Sequence, residues 1–397
     1  MSPQNRHFES LGVHAGREDL KTLGVHALPI DLSTTYPIQD LGVGTDSLDA
    51  LVAGDREATN PVYARLYNPT VARFEQGLAA LEGTDTAVAF SSGMAAVTAM
   101  VLARKGRGDH IVGVRPIYGT SDHLLSCDLL GLPMRWVKAE EVASAVNDKT
   151  ALVIIETPAN PTLDLVDIEM IVKAAGDVPV MVDSTFATPV LQNPIKLGAR
   201  FVLHSATKFL GGHGDVIAGV IACSEDDAKA LRQIRVATGA LLHPLAAYLL
   251  HRGLPTLSLR VLKAQDNAEK LITWLKQQPQ VKNVFYPGLN AGQQAIMKKQ
   301  MRGGGAVLAF ELVDGYQAAA TVMNQVKMMT PAVSLGSVDT LIQHPAGLTH
   351  RVLEESTRQN TGIREGLMRI SCGIEHVEDL IADLAQAFAA IKQRKVA

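Results

Sequence analysis

The sequence predicts an α/β fold, a mostly parallel seven-stranded sheet followed by a smaller C-terminal α+β portion. Seven short apolar runs, at residues 86–90, 110–114, 134–137, 151–156, 178–183, 201–204 and 216–223, are separated by loops or helical stretches. Several are continuous rather than alternating, as in strands buried on both faces. Past residue 259 the rhythm changes to an amphipathic segment at 261–277, a Gly303-Gly304-Gly305 turn, strand-like runs at 306–312 and 367–371 and a closing helix at 377–392.

Ahead of the first run, Asn68-Pro69-Thr70 supplies a cap residue and a proline for the first turn of a helix. Val71, Phe74, Leu78 and Leu81 recur at helical spacing until Gly83 stops it. Residues 1–62 lack this rhythm, with Gly42 to Thr45 and a polar stretch at 55–60, and read as an arm. The expected division is an arm at 1–62, a large domain at 63–258 and a small domain at 259–397.

Composition narrows the function. A chain of 397 residues, 47% hydrophobic and 19% charged, can bury a large core. The formal net charge of -3, with no basic block outside residues 392–395, gives no reason to expect nucleic acid or an anionic membrane as partner. Cys127, Cys223 and Cys372 lie far apart and form no Cys-x-x-Cys pair, so neither a disulfide framework nor zinc is indicated, and a reduced compartment fits. Residues 1–10 are polar and no apolar run approaches the roughly 18 residues of a membrane span, which reads as a soluble cytoplasmic protein.

The chemistry is concentrated at strand ends. Lys208, in Ser205-Ala206-Thr207-Lys208, follows the apolar run 201–204, and Asp183 ends another run. An amine and an acid at neighbouring strand ends are what pyridoxal phosphate needs, the first for a Schiff base and the second for the ring nitrogen. Ser91-Ser92-Gly93-Met94-Ala95 forms a strand-to-helix turn whose backbone N–H groups suit a phosphate. Ser205 and Thr207 add hydroxyls, and Gly211-Gly212-His213-Gly214 permits close approach of backbone to a ligand. Tyr118 could stack on a pyridine ring and move protons. Bland alternatives stand beside each: a tight turn for Gly93, a solvated lysine for Lys208, a helix cap for Asp183 and a packing role for Tyr118. His204 and His213 have no Cys or carboxylate at ligand spacing and read as packing residues, so no metal is expected.

Six ordered blocks carry a resemblance: Tyr63-Ala64-Arg65-Leu66-Tyr67-Asn68-Pro69-Thr70, Ser91-Ser92-Gly93-Met94-Ala95, Glu156-Thr157-Pro158-Ala159-Asn160-Pro161, Asp183-Ser184-Thr185-Phe186-Ala187-Thr188-Pro189, Ser205-Ala206-Thr207-Lys208 and Arg369-Ile370-Ser371. Nearly end to end, the chain resembles the pyridoxal phosphate-dependent enzymes of Cys/Met metabolism, the trans-sulfuration enzymes. The resemblance implies the aspartate-aminotransferase-like fold type I and an internal aldimine on Lys208, which later shuttles protons between Cα and Cβ. It implies that Asp183 pairs with the ring nitrogen and Asn160 with the phenolic oxygen. Ser92, Gly93, Met94, Ser205 and Thr207 would hold the cofactor from one subunit, while Tyr63 and Arg65 reach it from a neighbour. The arm would touch that neighbour in a homo-oligomer, usually a tetramer of paired dimers. Tyr118 would stack on the ring, deprotonate the substrate amine and protonate the leaving group. Arg369 would clamp the substrate α-carboxylate, and Ser334, Thr120 and Val333 would complete the substrate site.

Within the family, Ala332-Val333-Ser334-Leu335-Gly336 and Gln343-His344-Pro345-Ala346-Gly347-Leu348-Thr349-His350 look most like methionine γ-lyase. Relatives that handle cystathionine tend to have glutamate where Val333 stands. Methionine γ-lyases typically have cysteine at the position of Thr120 and a Lys-Asp pair at Val236 and Ala237, so the leaving-group pocket is expected to differ. The expected activity is γ-elimination from methionine, homocysteine or an O-substituted homoserine such as canavanine. The rival enzyme is a γ-replacement catalyst such as an O-acyl-homoserine sulfhydrylase or cystathionine γ-synthase. A non-catalytic binding protein is disfavoured by the intact set of Lys208, Asp183, Tyr118 and Arg369.

Overall fold

The computed structural model describes residues 6–349, 351 and 362–391. Expectations that fall on residues 1–5, His350 and residues 392–395 lie outside the described residues. The chain begins with α1 (Phe8–His14) and α2 (Leu41–Val52), then enters α3 (Pro69–Glu82), the helix predicted from Asn68. The Asn68 side chain accepts from the N–H groups of Thr70 and Val71, and Gly83 closes the helix in the left-handed conformation. Phe74, Leu78 and Leu81 are buried in one cluster with Ala87, Val202 and Val220 of the sheet that follows.

All seven apolar runs become strands: β1 (Thr86–Phe90), β2 (His110–Val114), β3 (Met134–Val137), β4 (Thr150–Glu156), β5 (Val180–Asp183), β6 (Phe201–His204) and β7 (Gly219–Cys223). Their order is β1-β7-β6-β5-β4-β2-β3. Strands β6, β5, β4, β2 and β3 pair in parallel, whereas β7 is antiparallel to both β6 and β1. The reversal has a simple cause. Parallel crossovers need a long connection, usually a helix, and the 205–218 segment between β6 and β7 contains no helix. It is a loop that returns the chain beside the strand it left, and Lys208 sits on it. Alternation along β1 sends Ala87 and Ala89 into one core and Val88 and Phe90 into another, so both faces of the sheet are covered.

A second, five-stranded sheet holds β8 (Val281–Phe285), β9 (Val307–Leu312), β10 (Thr330–Pro331), β11 (Leu341–Gln343) and β12 (Leu367–Ser371), in the order β10-β11-β12-β9-β8. Helices Leu257–Leu275 and Val377–Ala389 pack on it through Leu271, Phe310, Ile370 and Phe388. Sequence periodicity found β9 and β12 but missed the other three strands. β8 is nowhere fully buried and so has no apolar run, while β10 and β11 are two and three residues long.

The leading segment lies in part against its own chain. Phe8 and Leu11, one helical turn apart on α1, pack against the α3 core, whereas Leu32, Leu41 and Val52 beyond them stay exposed. No described helix is long and apolar enough to cross a membrane. Asn68 joins the leading segment to the helix, because its Nδ2 also donates to Asp31 O at 3.1 Å. Asn68→Ala is expected to cost about 1–2 kcal/mol in urea unfolding followed by circular dichroism; an unchanged midpoint would show that the cap does not hold α3.

Candidate active site

The parallel strands end on one side, where open α/β sheets bind ligands. β1 leads through Ser91 and Ser92 into α4 (Gly93–Arg104), β4 ends at Glu156, β5 ends at Asp183 and β6 runs on to Ser205 and Lys208. These ends open onto a cavity of about 460 Å³, closed from the second sheet by Arg369 of β12 and by residues 333–335. Ser92, Gly93, Met94, Tyr118, Asn160, Asp183, Ser205, Thr207, Lys208, Val333, Ser334 and Arg369 all line it.

At its centre, Lys208 Nζ donates to Ser334 Oγ at 2.7 Å. Burial, helped by the charge of Arg369, lowers the Lys208 amine to about 8. Asp183 Oδ1 accepts from Thr185 N at 3.0 Å and from Thr185 Oγ at 2.5 Å. Asp183 therefore caps the turn after β5 and also faces the cavity, so the two sequence alternatives describe one residue. Burial raises its carboxyl, opposed by the bonds from Thr185.

The end suited to a phosphate is the start of α4. Ser92 Oγ accepts from Ala95 N at 3.0 Å as the N-cap, leaving its hydroxyl proton for an anion. A Cβ on Gly93 would stand 3.1 Å from Ser205 Cβ, so the glycine lets the helix end meet the 205 loop. Thr207 Oγ donates to Ala218 O at 3.2 Å and accepts from Ala218 N at 2.9 Å, so its proton would have to turn to reach a ligand. The glycines at 211–214 do not line the cavity. Gly212, at φ +75°, instead leaves room for Arg260, whose Nη1 donates to Phe209 O at 2.7 Å.

Arg369 is the most heavily bound side chain of the site. Its Nη1 donates to Asn160 Oδ1 at 2.7 Å and its Nη2 to Ser334 O at 2.5 Å. Gln343, its register partner on β11, accepts from Nε, Nη1 and Nη2 at 3.0, 3.0 and 2.8 Å when its amide oxygen faces the guanidinium. Burial lowers Arg369 to about 10, opposed by the charge of Glu156. Ser334 is held at φ +90°, a conformation that costs a non-glycine residue about 1–3 kcal/mol.

Sequence reasoning assigned no role to Glu156, Thr185 or Gln343. Glu156 is 5% exposed and accepts from Tyr118 N at 2.6 Å and Asn160 N at 2.8 Å. Burial, reinforced by the charge of Asp183, pushes its carboxyl well up. The signal was present, since an acid ends an apolar run just as Asp183 does. His204, expected to pack, meets buried Glu82 at 2.5 Å.

Three expected site residues stand outside this cavity, two of them, Tyr63 and Arg65, being expected to serve a neighbouring subunit rather than their own. Thr120 is exposed and absent from the cavity wall: one residue of helix turns the side chain by about 100°, so on α5 (Gly119–Ser126) it is the neighbouring Ser121 that faces inward. Ser121 Oγ donates to Met94 Sδ at 3.6 Å. Tyr63 and Arg65 line a separate hollow of about 490 Å³. The Arg65 guanidinium lies 5.7 Å from the Tyr63 ring centroid and donates to Val236 O at 3.1 Å. Within one chain, neither reaches Lys208.

An amine of lowered basicity, a buried carboxylate, a helix N-terminus flanked by hydroxyls and a buried guanidinium thus share one cavity. That donor set fits pyridoxal phosphate together with an amino-acid carboxylate. The comparisons agree. The sequence profile of the family described as Cys/Met metabolism PLP-dependent enzyme matches residues 9–389. The L-methionine gamma-lyase of Brevibacterium sandarakinum is 53% identical over 388 residues, 97% of this chain and 98% of that protein. The crystal structure of metB from Corynebacterium glutamicum superposes with a TM-score of 0.90 at 35% identity, covering 99% of this chain and 100% of that one. Cystathionine gamma-lyase from Lactobacillus plantarum, complexed with L-serine, gives 0.88 at 34% identity, covering 97% and 99%. The chain belongs to the family of pyridoxal phosphate-dependent enzymes of Cys/Met metabolism.

Proposed function

We propose that the protein is a lyase that eliminates the γ-substituent of an L-amino acid, with methionine as the first candidate substrate and homocysteine or an O-substituted homoserine such as canavanine in the same class. The observation that carries this reading is the convergence of Lys208, Asp183 and Arg369 on one cavity; the likeness to an L-methionine gamma-lyase supports it. Ser92, Gly93, Met94, Ser205 and Thr207 would hold the cofactor at its phosphate end, Asp183 would take the ring nitrogen and Asn160 the phenolic oxygen. When bound, pyridoxal phosphate supplies an electron sink for charge developing at the substrate carbon.

The protein's own groups do the rest. Arg369, already desolvated, takes the substrate α-carboxylate by exchanging part of its bonding to Ser334 O and Gln343 for the carboxylate oxygens. Lys208 Nζ, with its basicity lowered to about 8, accepts the Cα proton near neutral pH, gives it up again, and only then, once more a neutral amine, takes the Cβ proton. The hydroxyl of Tyr118, 39% exposed at the cavity wall, protonates the departing γ-group. At the mouth stand Ile217, Val333 and Leu348, exposed by 70, 52 and 44%. An apolar thioether end suits these three aliphatic side chains better than a charged one. The same reading places Tyr63 and Arg65 at a neighbouring subunit's cavity, in a cytoplasmic homo-oligomer of at least a dimer and in the tetramer usual for the family.

Methionine alone should yield a 2-oxo acid, ammonia and a thiol, and Lys208→Ala should reduce turnover at least a thousandfold. Product that forms only when a thiol is added would make the enzyme a γ-replacement catalyst. Mixing Arg65→Ala with Lys208→Ala subunits should restore some activity through hybrid sites, and no recovery in an exchanging mixture would remove Arg65 from its neighbour's site. Because the Lys208 amine is lowered from 10.5 to about 8, more of it is neutral at any pH below that. Cofactor uptake by the apo-protein, followed by absorbance, should therefore rise roughly tenfold per pH unit up to about pH 8 and then level. A rise that continued to pH 10 would show an unperturbed lysine.

A further inference from the structure

Glu156 is hard to explain as a chemical participant. It ends β4 beside Asp183 of β5, its register partner, so a buried carboxylate stands next to a half-buried one. Both of its oxygens are directed at backbone N–H groups, Oε2 at Tyr118 and Oε1 at Asn160. A buried acid beside another acid is unfavourable, and packing alone would be served better by an apolar residue. What a carboxylate uniquely offers is two acceptor oxygens on one short side chain with no donor between them.

The two N–H groups belong to separate loops, one after β2 and one after β4, and both residues line the cavity. Tyr118 is the N-cap of α5 and has no side-chain cap bond of its own. Asn160 continues the connection through Oδ1 to Arg369 Nη1 at 2.7 Å, Arg369 Nη2 reaches Ser334 O at 2.5 Å, and Ser334 Oγ meets Lys208 Nζ at 2.7 Å. A continuous run of hydrogen bonds thus leads from the Tyr118 backbone to the Lys208 amine, and Glu156 is the link that joins it to Tyr118.

We propose that Glu156 is a positioning residue: its carboxylate ties the loop of Tyr118 to the loop of Asn160, and so sets the Tyr118 ring and the Asn160 and Arg369 pair at a fixed spacing around the bound amino acid. It lines the cavity, but with each of its oxygens accepting a backbone N–H it acts through the residues it holds. The inference rests on the cavity being a pyridoxal phosphate site for amino acids, but not on γ-elimination.

The test uses the holoenzyme and two variants. Glu156→Gln keeps the volume but sets an NH₂ group against one backbone N–H; Glu156→Asp is one methylene too short to span both. Glycine, which has no γ-substituent, is the binding probe, read through the cofactor's visible absorbance. In both variants glycine affinity should fall roughly tenfold, while the dissociation constant of pyridoxal phosphate, held mainly by Ser92, Ser205 and Thr207, should stay within about threefold. The loss caused by Tyr118→Phe in kcat/KM should also shrink in the Glu156→Gln background, because the ring is already displaced. Unchanged glycine affinity, or strictly additive losses with Tyr118→Phe, would overturn the proposal. Failure of both variants to fold, or equal loss of glycine and cofactor with a lowered melting temperature, would make Glu156 a structural residue only. Glycine binding does not depend on elimination, so a wild type that binds glycine yet releases no oxo acid would sink the functional reading and leave this comparison intact.

Discussion

The site depends on one buried guanidinium. Arg369 comes from the second sheet, yet its N–H groups are spent on Asn160, from the loop after β4 of the first sheet, and on Ser334, from the loop that touches Lys208. Desolvating such a charge costs several kcal/mol, and the cost is met only if every donor finds an acceptor. Gln343 at the adjacent register position supplies the remaining ones. The two sheets are therefore not free to approach at any angle: the separation that satisfies Arg369 also brings Ser334 to the lysine. The left-handed conformation of Ser334 follows, since its carbonyl must face Arg369 while its hydroxyl faces Lys208.

The same desolvation sets the electrostatics. Burial lowers the basicity of Lys208 and the charge of Arg369 pushes in the same direction, so the amine, at about 8, becomes a base suited to near-neutral pH. Burial acts in the opposite sense on the carboxyls of Asp183 and Glu156, raising both. The bonds from Thr185 resist that rise at Asp183, and the backbone N–H groups of Tyr118 and Asn160 resist it at Glu156. A cationic ring nitrogen would be drawn to Asp183, because the oxygens of Glu156 already have donors.

Much of this was legible in the sequence because it depends on local pattern. Asn68 and Gly83 mark a helix by rules that act within a few residues, and the strands of the first sheet are buried on both faces, so their apolar runs stand out. β8 was invisible for the converse reason: a strand with no fully buried residue has no continuous apolar run. Lys208 and Asp183 could be paired because each sits at a strand end. The role of Glu156 was not readable, although its position was, because what it binds is the backbone of a residue 38 positions away. Thr120 was misplaced by a single residue of helix phase, which a motif does not encode. The glycines at 211–214 read as room for a ligand and are room for Arg260, since a sequence shows that space is needed but not what fills it.

A division of labour follows from where each part is attached. The groups proposed to handle the amino-acid backbone, Lys208, Asp183, Asn160 and Arg369, sit within a strand, at its end or on the turn that directly follows it, and are hydrogen-bonded there or to the loop of Ser334, so displacing one would strain the rest. Ile217, Val333 and Leu348 instead stand on loops at the mouth, largely exposed, and their side chains can change with little effect on that network. Chemistry at Cα is common to every amino acid with this linkage, whereas the γ-substituent is what differs between them. A fold that anchors the first set and leaves the second on loops can change its leaving group without rebuilding its catalytic centre.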